Sequence, residues 1–102
     1  METMIATKNG KIEQKINLIK GSFSASEAAD VINSVLKVKI NFHKLHRLSV
    51  TEVNLNDSCE FDNARIDELL NEQRIAKDFF RNAQLEGKKL TIRSTIHITV
   101  ED

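Results

Sequence analysis

Residues 90–100 alternate between two kinds of side chain, and this alternation limits the possible folds more than any other feature of the sequence. One set is mostly apolar and the other is polar: Leu90, Ile92, Ser94, Ile96, Ile98 and Val100 against Thr91, Arg93, Thr95, His97 and Thr99. Successive side chains of a strand point to opposite faces of a sheet, so the pattern predicts a β-strand. A lone strand is not stable, and the rest of the chain must supply its partners.

A β-hairpin is predicted near the start of the sequence. Asn9-Gly10 provides the two positive-φ residues that a two-residue type I′ turn requires. In the second strand Ile12, Ile16 and Leu18 share one face, and Gly21-Ser22 is expected to break that strand. The hairpin and the later strand together predict a three-stranded sheet, and the sequence leaves the order of its strands open.

The residues that follow predict a long helix. Ser24 and Glu27 have the spacing of a capping box, in which each side chain accepts a hydrogen bond from the other residue's backbone amide. Apolar residues then recur every three or four positions, which predicts a helix to about Leu45 or Arg47: Ala28, Val31, Ile32, Val35, Leu36, Val38, Phe42 and Leu45. Because this apolar arc spans more than half of the helix surface, we expect the helix to pack on two sides.

Residues 48–56 fit neither period and are interpreted as irregular. Either Asp57-Ser58 or Asp62 is a candidate cap for a second helix that ends at Gly87. Within its apolar stripe Gln73 is interpreted as a partly exposed position or as a residue that fixes helix register. The predicted fold is α+β: an N-terminal β-hairpin and a C-terminal strand form an antiparallel three-stranded sheet, packed against a two-helix hairpin in one domain of residues 1–102.

Composition restricts the possible partners and locations. Fifteen basic and fifteen acidic residues cancel, so no overall field favours nucleic acid or a membrane surface. Residues 1–50 hold eight bases and four acids, whereas residues 51–102 hold seven bases and eleven acids, and such halves complement each other within one chain or between two antiparallel chains. The single cysteine excludes an internal disulfide, and no apolar run is long enough for a membrane span, so we expect a cytoplasmic protein.

Three segments carry a resemblance to known sequences. They are residues 23–29 (FSASEAA) and 39–43 (KINFH), which lie within the stretch Gly21 to Arg47, together with residues 94–98 (STIHI). In these segments the chain resembles a set of small uncharacterised bacterial proteins with the same strand, helix, helix, strand order. The likeness covers most of the chain after residue 15 and implies a fold but no activity.

His43 and His46 stand three residues apart, which places two imidazoles on one helix face with Cys59 or His97 as conceivable further metal ligands. No Asp or Glu lies at ligand spacing beside them, so they are interpreted as exposed residues near the negative end of the helix dipole, and no metal site is predicted.

The end of the first helix is the most basic stretch of the chain, since no acid occurs between Asp30 and Glu52. One hypothesis is a site for a phosphate-bearing ligand, an RNA backbone or an acidic partner, built from Lys39, His43, His46, Arg47, Arg93 and His97. The alternatives are a solvated helix end, or pairing with the acidic segment Glu52 to Glu72 within the chain or across a dimer. We favour the pairing.

No catalytic motif is present, and Cys59 beside Glu60 is expected to be a poor nucleophile because negative charge raises the pKa of a thiol. We therefore expect a binding module rather than an enzyme, without a cofactor. Its expected partner is a second copy of the chain or another protein, and Val38, Phe42 and Leu45 are the predicted self-association residues. Binding of nucleic acid or of a phosphorylated small ligand at the basic helix end is the alternative. An enzyme is the third hypothesis, and it would need a cleft in which His97 or His43 meets a carboxylate.

Overall fold

The computed structural model describes residues 2–101 and, apart from residues 2–4 and 8, their side chains. Residues 1 and 102 of the predicted domain lie outside this description. The chain is α+β, as predicted, with a three-stranded antiparallel sheet and two helices in the order β1 (Glu2–Lys8), β2 (Lys11–Ser24), α1 (Ala25–Val53), α2 (Glu60–Leu85) and β3 (Lys89–Thr99). The described residues form two compact units, the sheet of residues 2–23 with 89–101 and the helical hairpin of residues 24–88.

The sheet unit is built on the predicted hairpin. Asn9 and Gly10 have φ values of 52° and 77°, the left-handed conformations of a type I′ turn, and they pair Lys8 with Lys11 across the strand ends. The strand order is β1-β2-β3, so β2 is the central strand, which answers the question that the sequence left open. β2 does not break at Gly21-Ser22 but runs to Ser24, because both residues adopt the extended backbone and lead directly into the helix cap.

The predicted capping box starts α1. Ser24 Oγ accepts from the Glu27 amide at 3.1 Å, and Glu27 Oε1 accepts from the Ser24 amide at 2.9 Å. The helix continues to Val53, six residues past Arg47, so the irregular assignment of residues 48–56 was wrong for its first six residues. No Gly or Pro interrupts this stretch, and Thr51 Oγ1 donates back to the carbonyl of Arg47 at 3.1 Å, which a polar side chain does readily inside a helix.

The start of α2 differs from the prediction. Its N-cap is Cys59 in the left-handed conformation (φ 52°), without a side-chain cap, while Asp57 Oδ1 accepts from the Cys59 amide at 2.8 Å as an Asx turn. Asp62 lies inside the helix, where its carboxylate accepts hydrogen bonds from two side chains of α1 instead of capping α2. At the other end Gly87 (φ 67°) is the predicted terminal glycine: the Lys88 and Gly87 amides donate to Ala83 and Gln84, the two bonds of a Schellman motif.

Within the hairpin unit the core is small. Ile40 from α1 and Ile66 and Leu69 from α2 are buried together, and Leu36 packs against them. This cluster fixes the middle of α1 against the first half of α2.

Candidate functional sites on the helical hairpin

A buried carboxylate joins the two helices next to the apolar cluster. Asp62 on α2 is 4% exposed, and its two oxygens accept from two histidines of α1: the Nδ1 of His43 at 2.9 Å and the Nδ1 of His46 at 2.6 Å. An ionised carboxylate can only accept hydrogen bonds, so both rings carry a proton on Nδ1. We call these three residues the histidine–aspartate cluster.

The helical spacing explains this geometry. Residues three apart lie on the same side of a helix, so His43 and His46 both face the first turn of α2 once the hairpin folds back. The hydrogen bonds from His43 and then from His46 are the largest causes that lower the pKa of Asp62, and they outweigh the opposite effect of burial. The carboxylate is therefore held in its charged form by the two rings.

The two histidines differ in accessibility. His43 is 3% exposed, and its Nε2 has no hydrogen-bond partner among the described residues. The side chain of His46 is 54% exposed and stacks on the ring of Phe42, with the ring centroids 6.2 Å apart. The interpretation of both as exposed helix-end residues was wrong for His43, because it took no account of the second helix that covers it. A substrate has no access to that ring.

Two further basic residues of α1, Arg47 and Lys39, also have partners within the hairpin. Arg47 Nη1 donates to Asn63 Oδ1 at 2.8 Å, and Lys39 Nζ lies 4.6 Å from the centroid of the Phe42 ring. Four of the six predicted ligand-binding residues thus lie in one region: Lys39, His43, His46 and Arg47. The favoured pairing of the basic stretch with the acidic segment is present within one chain, where Asp62 accepts hydrogen bonds from His43 and His46. Arg93 and His97 lie on β3 in the sheet unit.

Cys59 borders this region and is buried. Burial raises the pKa of its thiol, and the negative charge of Asp57 raises that pKa further. A thiol with a raised pKa forms little thiolate at neutral pH and is a weak nucleophile. Among the residues that the structure describes, no group of three or more His, Cys, Asp or Glu is arranged to hold a metal ion.

On another face of α1 a row of apolar side chains lies in solvent. The exposed fractions are 44% for Val35, 71% for Val38, 54% for Phe42 and 67% for Leu45. We call these four residues the α1 stripe. It contains all three predicted self-association residues, and its spacing of three, four and three residues repeats that of the a and d positions of a heptad.

Comparisons with known proteins give no independent guide to these sites. The chain matches no family model, and no curated protein and no solved structure is significantly similar to it. The resemblance to small bacterial proteins therefore has no support from these comparisons. Within the described part of the chain, no helix combines the length and the apolar character that crossing a membrane requires.

Proposed function

We propose that this protein is a non-enzymatic interaction module that self-associates as a homodimer through the α1 stripe. The observation that carries the proposal is the exposure of four large apolar side chains on consecutive turns of one helix face. Single exposed apolar residues are ordinary, but a contiguous row is typical of an interaction surface because water contact with it is unfavourable.

The spacing of the stripe favours a second copy of the chain as the occupant. Positions 35, 38, 42 and 45 follow the a and d pattern of a helix that packs knobs-into-holes against another helix. A two-fold dimer places the same patch of both subunits in contact, so such a row is complementary to itself. Val38 and Phe42, at the middle of the row, would then lie near the two-fold axis.

Phe42 is held in place before any partner arrives. Its ring stacks on His46, which Asp62 fixes, and it contacts His43 edge to face at a centroid distance of 5.2 Å. An anchor that is already ordered loses less conformational entropy on binding. The histidine–aspartate cluster thus keeps the Phe42 ring of the proposed interface in one orientation.

The test is the molar mass in solution, measured by size-exclusion chromatography with light scattering for the wild type, Phe42→Asp and Phe79→Asp. Phe79 is a matched control, because it is a phenylalanine on α2 with a similar exposed fraction, 59%. We expect twice the chain mass for the wild type and for Phe79→Asp, and a single chain mass for Phe42→Asp, because a buried unpaired carboxylate disfavours the interface. A monomeric wild type at high micromolar concentration would refute the proposal.

The alternative function, binding of nucleic acid or a phosphorylated ligand at the basic end of α1, has weaker support. His43 is buried, and Arg47 and His46 already bond to Asn63 and Asp62, so Lys39 and Lys44 are the remaining donors for a phosphate there. Titration of an oligonucleotide at low and moderate salt tests it, since phosphate contacts weaken steeply as salt rises.

A further inference from the structure

A polar groove runs between α1 and α2 away from the histidine–aspartate cluster. Its volume is about 670 Å³, within the usual range for small-molecule sites. Each helix contributes four residues at positions i, i+3, i+4 and i+7: Asp30, Asn33, Ser34 and Lys37 from α1, and Leu70, Gln73, Arg74 and Lys77 from α2. The regular spacing shows that one face of each helix lines the groove over its full length.

The groove carries more positive than negative charge. Lys37, Arg74 and Lys77 line it together with a single acid, Asp30. Neither lysine forms an ion pair with any of the described residues, and Arg74 donates to the neutral amide of Asn71. Two other bases of α2 do have acidic partners one turn away, since Arg65 pairs with Glu68 and Arg81 with Asp78.

The sequence explains why the groove lysines lack such partners. The positions three and four residues from Lys37 are Asn33, Ser34, Ile40 and Asn41, and those from Lys77 are Gln73, Arg74, Phe80 and Arg81. None of them is acidic, so no local ion pair on the same helix can neutralise either lysine. Three like charges drawn together by the packing of two helices repel one another, and an anion between them relieves that repulsion.

We propose that this groove binds a small phosphorylated molecule that carries hydroxyl groups, with Lys37, Arg74 and Lys77 holding the phosphate. Arginine and lysine are the side chains that recognise phosphate oxygens, and the polar groups of Asn33, Ser34 and Gln73 supply neutral hydrogen bonds nearby. Asp30 would repel a second anionic group but accepts hydrogen bonds from hydroxyls. The site gives Gln73 a role that its place in an apolar stripe did not suggest, and none of the α1 stripe residues lines it.

Titrations followed by amide ¹H–¹⁵N spectra at constant ionic strength test the proposal with two probes, inorganic phosphate and ribose 5-phosphate. We expect saturable shifts concentrated at residues 30–37 and 70–77, and tighter binding of ribose 5-phosphate than of inorganic phosphate. The double variant Arg74→Gln/Lys77→Gln should weaken both by about tenfold or more, because each lost charge-assisted bond contributes strongly. The matched control Lys44→Gln/Lys88→Gln removes the same charge outside the groove and should bind as the wild type does.

Absence of saturable binding, shifts centred elsewhere, or equal weakening in both double variants would overturn the site. Asp30→Ala tests the hydroxyl part separately, since it removes both acceptor oxygens and should abolish the preference for ribose 5-phosphate while leaving phosphate binding intact or stronger. A preference that survives this variant would refute the role of Asp30. Thermal unfolding of each variant confirms that the fold is intact, and the result does not depend on whether the protein is a dimer.

Discussion

The loop end of the helical hairpin and its polar groove use polar side chains in opposite ways. At the loop end the carboxylate of Asp62 is 4% exposed, and both of its oxygens accept from the histidines of α1. In the groove Lys37 and Lys77 are exposed and form no ion pair with the described residues. The polar side chains at the loop end therefore hydrogen-bond to one another, whereas the charged side chains in the groove are available to a ligand.

This difference separates residues that hold the hairpin together from residues that can bind something else. A buried charge is tolerated only when it is paired and hydrogen-bonded, so the partners of Asp62 are required by the fold. An exposed lysine is solvated and contributes little to the stability of the fold, so stability does not require it to lie beside two other bases. Substitutions at the loop end should therefore affect unfolding, whereas substitutions in the groove should not.

The largest expected loss of stability comes from truncating a side chain of the apolar cluster of Ile40, Ile66 and Leu69. Leu69→Ala should lower the free energy of unfolding by about 2–5 kcal/mol, because it removes buried methyl groups and leaves a cavity between Ile40 and Ile66. Leu70→Ala is the adjacent control. Leu70 is 44% exposed and lines the groove, so its truncation should cost less than about 1 kcal/mol.

Urea denaturation followed by circular dichroism measures both free energies. Equal losses for the two variants would show that Leu70 in the groove is as closely packed as Leu69 in the apolar cluster. Groove residues would then contribute to stability as buried residues do, and the two regions would not differ in the way stated above.

The second effect concerns the hydrogen bond between His43 and Asp62. His43→Leu should be less stable than His43→Asn by about 1–3 kcal/mol, because the amide of asparagine can still donate to the carboxylate from a position near Nδ1. His46→Leu should cost less than His43→Leu, since the side chain of His46 is 54% exposed and water can reach the carboxylate oxygen that it leaves. Denaturant midpoints at pH 7 measure these differences, and the reverse order would show that His46 is the more important partner.

Much of the fold could be predicted from local sequence patterns. The Asn9-Gly10 turn, the capping box of Ser24 and Glu27, the terminal glycine Gly87 and the last strand depend on residues within a few positions of one another, and all are present. The extension of α1 to Val53 was missed because its last residues lack an apolar period, and a helix without stop signals continues on backbone hydrogen bonds alone.

The sites depend on contacts between helices, and local patterns do not reveal these. His43 and Asp62 are 19 residues apart, so the absence of an acid near the histidines in the sequence said nothing about an acid on the facing helix. The acidic character of residues 52–72 did indicate a pairing, but not which carboxylate makes it. In the same way Lys37 and Lys77 are unremarkable in sequence and become neighbours of one groove only when α1 and α2 pack antiparallel.

The smallest effect is confined to acid pH and isolates the charge of Asp62. Its pKa in the folded protein is lowered by the hydrogen bonds from His43 and His46, so the folded state binds a proton less readily than the unfolded chain does. The stabilisation is therefore fully present above the ordinary carboxyl value of 3.8 and is lost as the pH falls through the lower folded pKa. Asp62→Asn cannot titrate and should lack this contribution, while the remaining fourteen carboxylates titrate in both proteins.

The difference in unfolding free energy between wild type and Asp62→Asn should accordingly shrink as the pH falls from the ordinary carboxyl value of 3.8 through the lower folded pKa. His43, His46, Arg47, Asp57, Cys59 and Glu60 surround or border the carboxylate and are unchanged in the variant. Arg74→Gln provides the comparison with the groove. Because it removes a solvated charge that has no ion-pair partner, the dependence of stability on pH in the acid range should be the same as in the wild type. A difference that stays constant through the acid range would mean that the two histidines do not hold Asp62 in its charged form, and the loop end would then resemble the groove in having polar groups that the fold does not need.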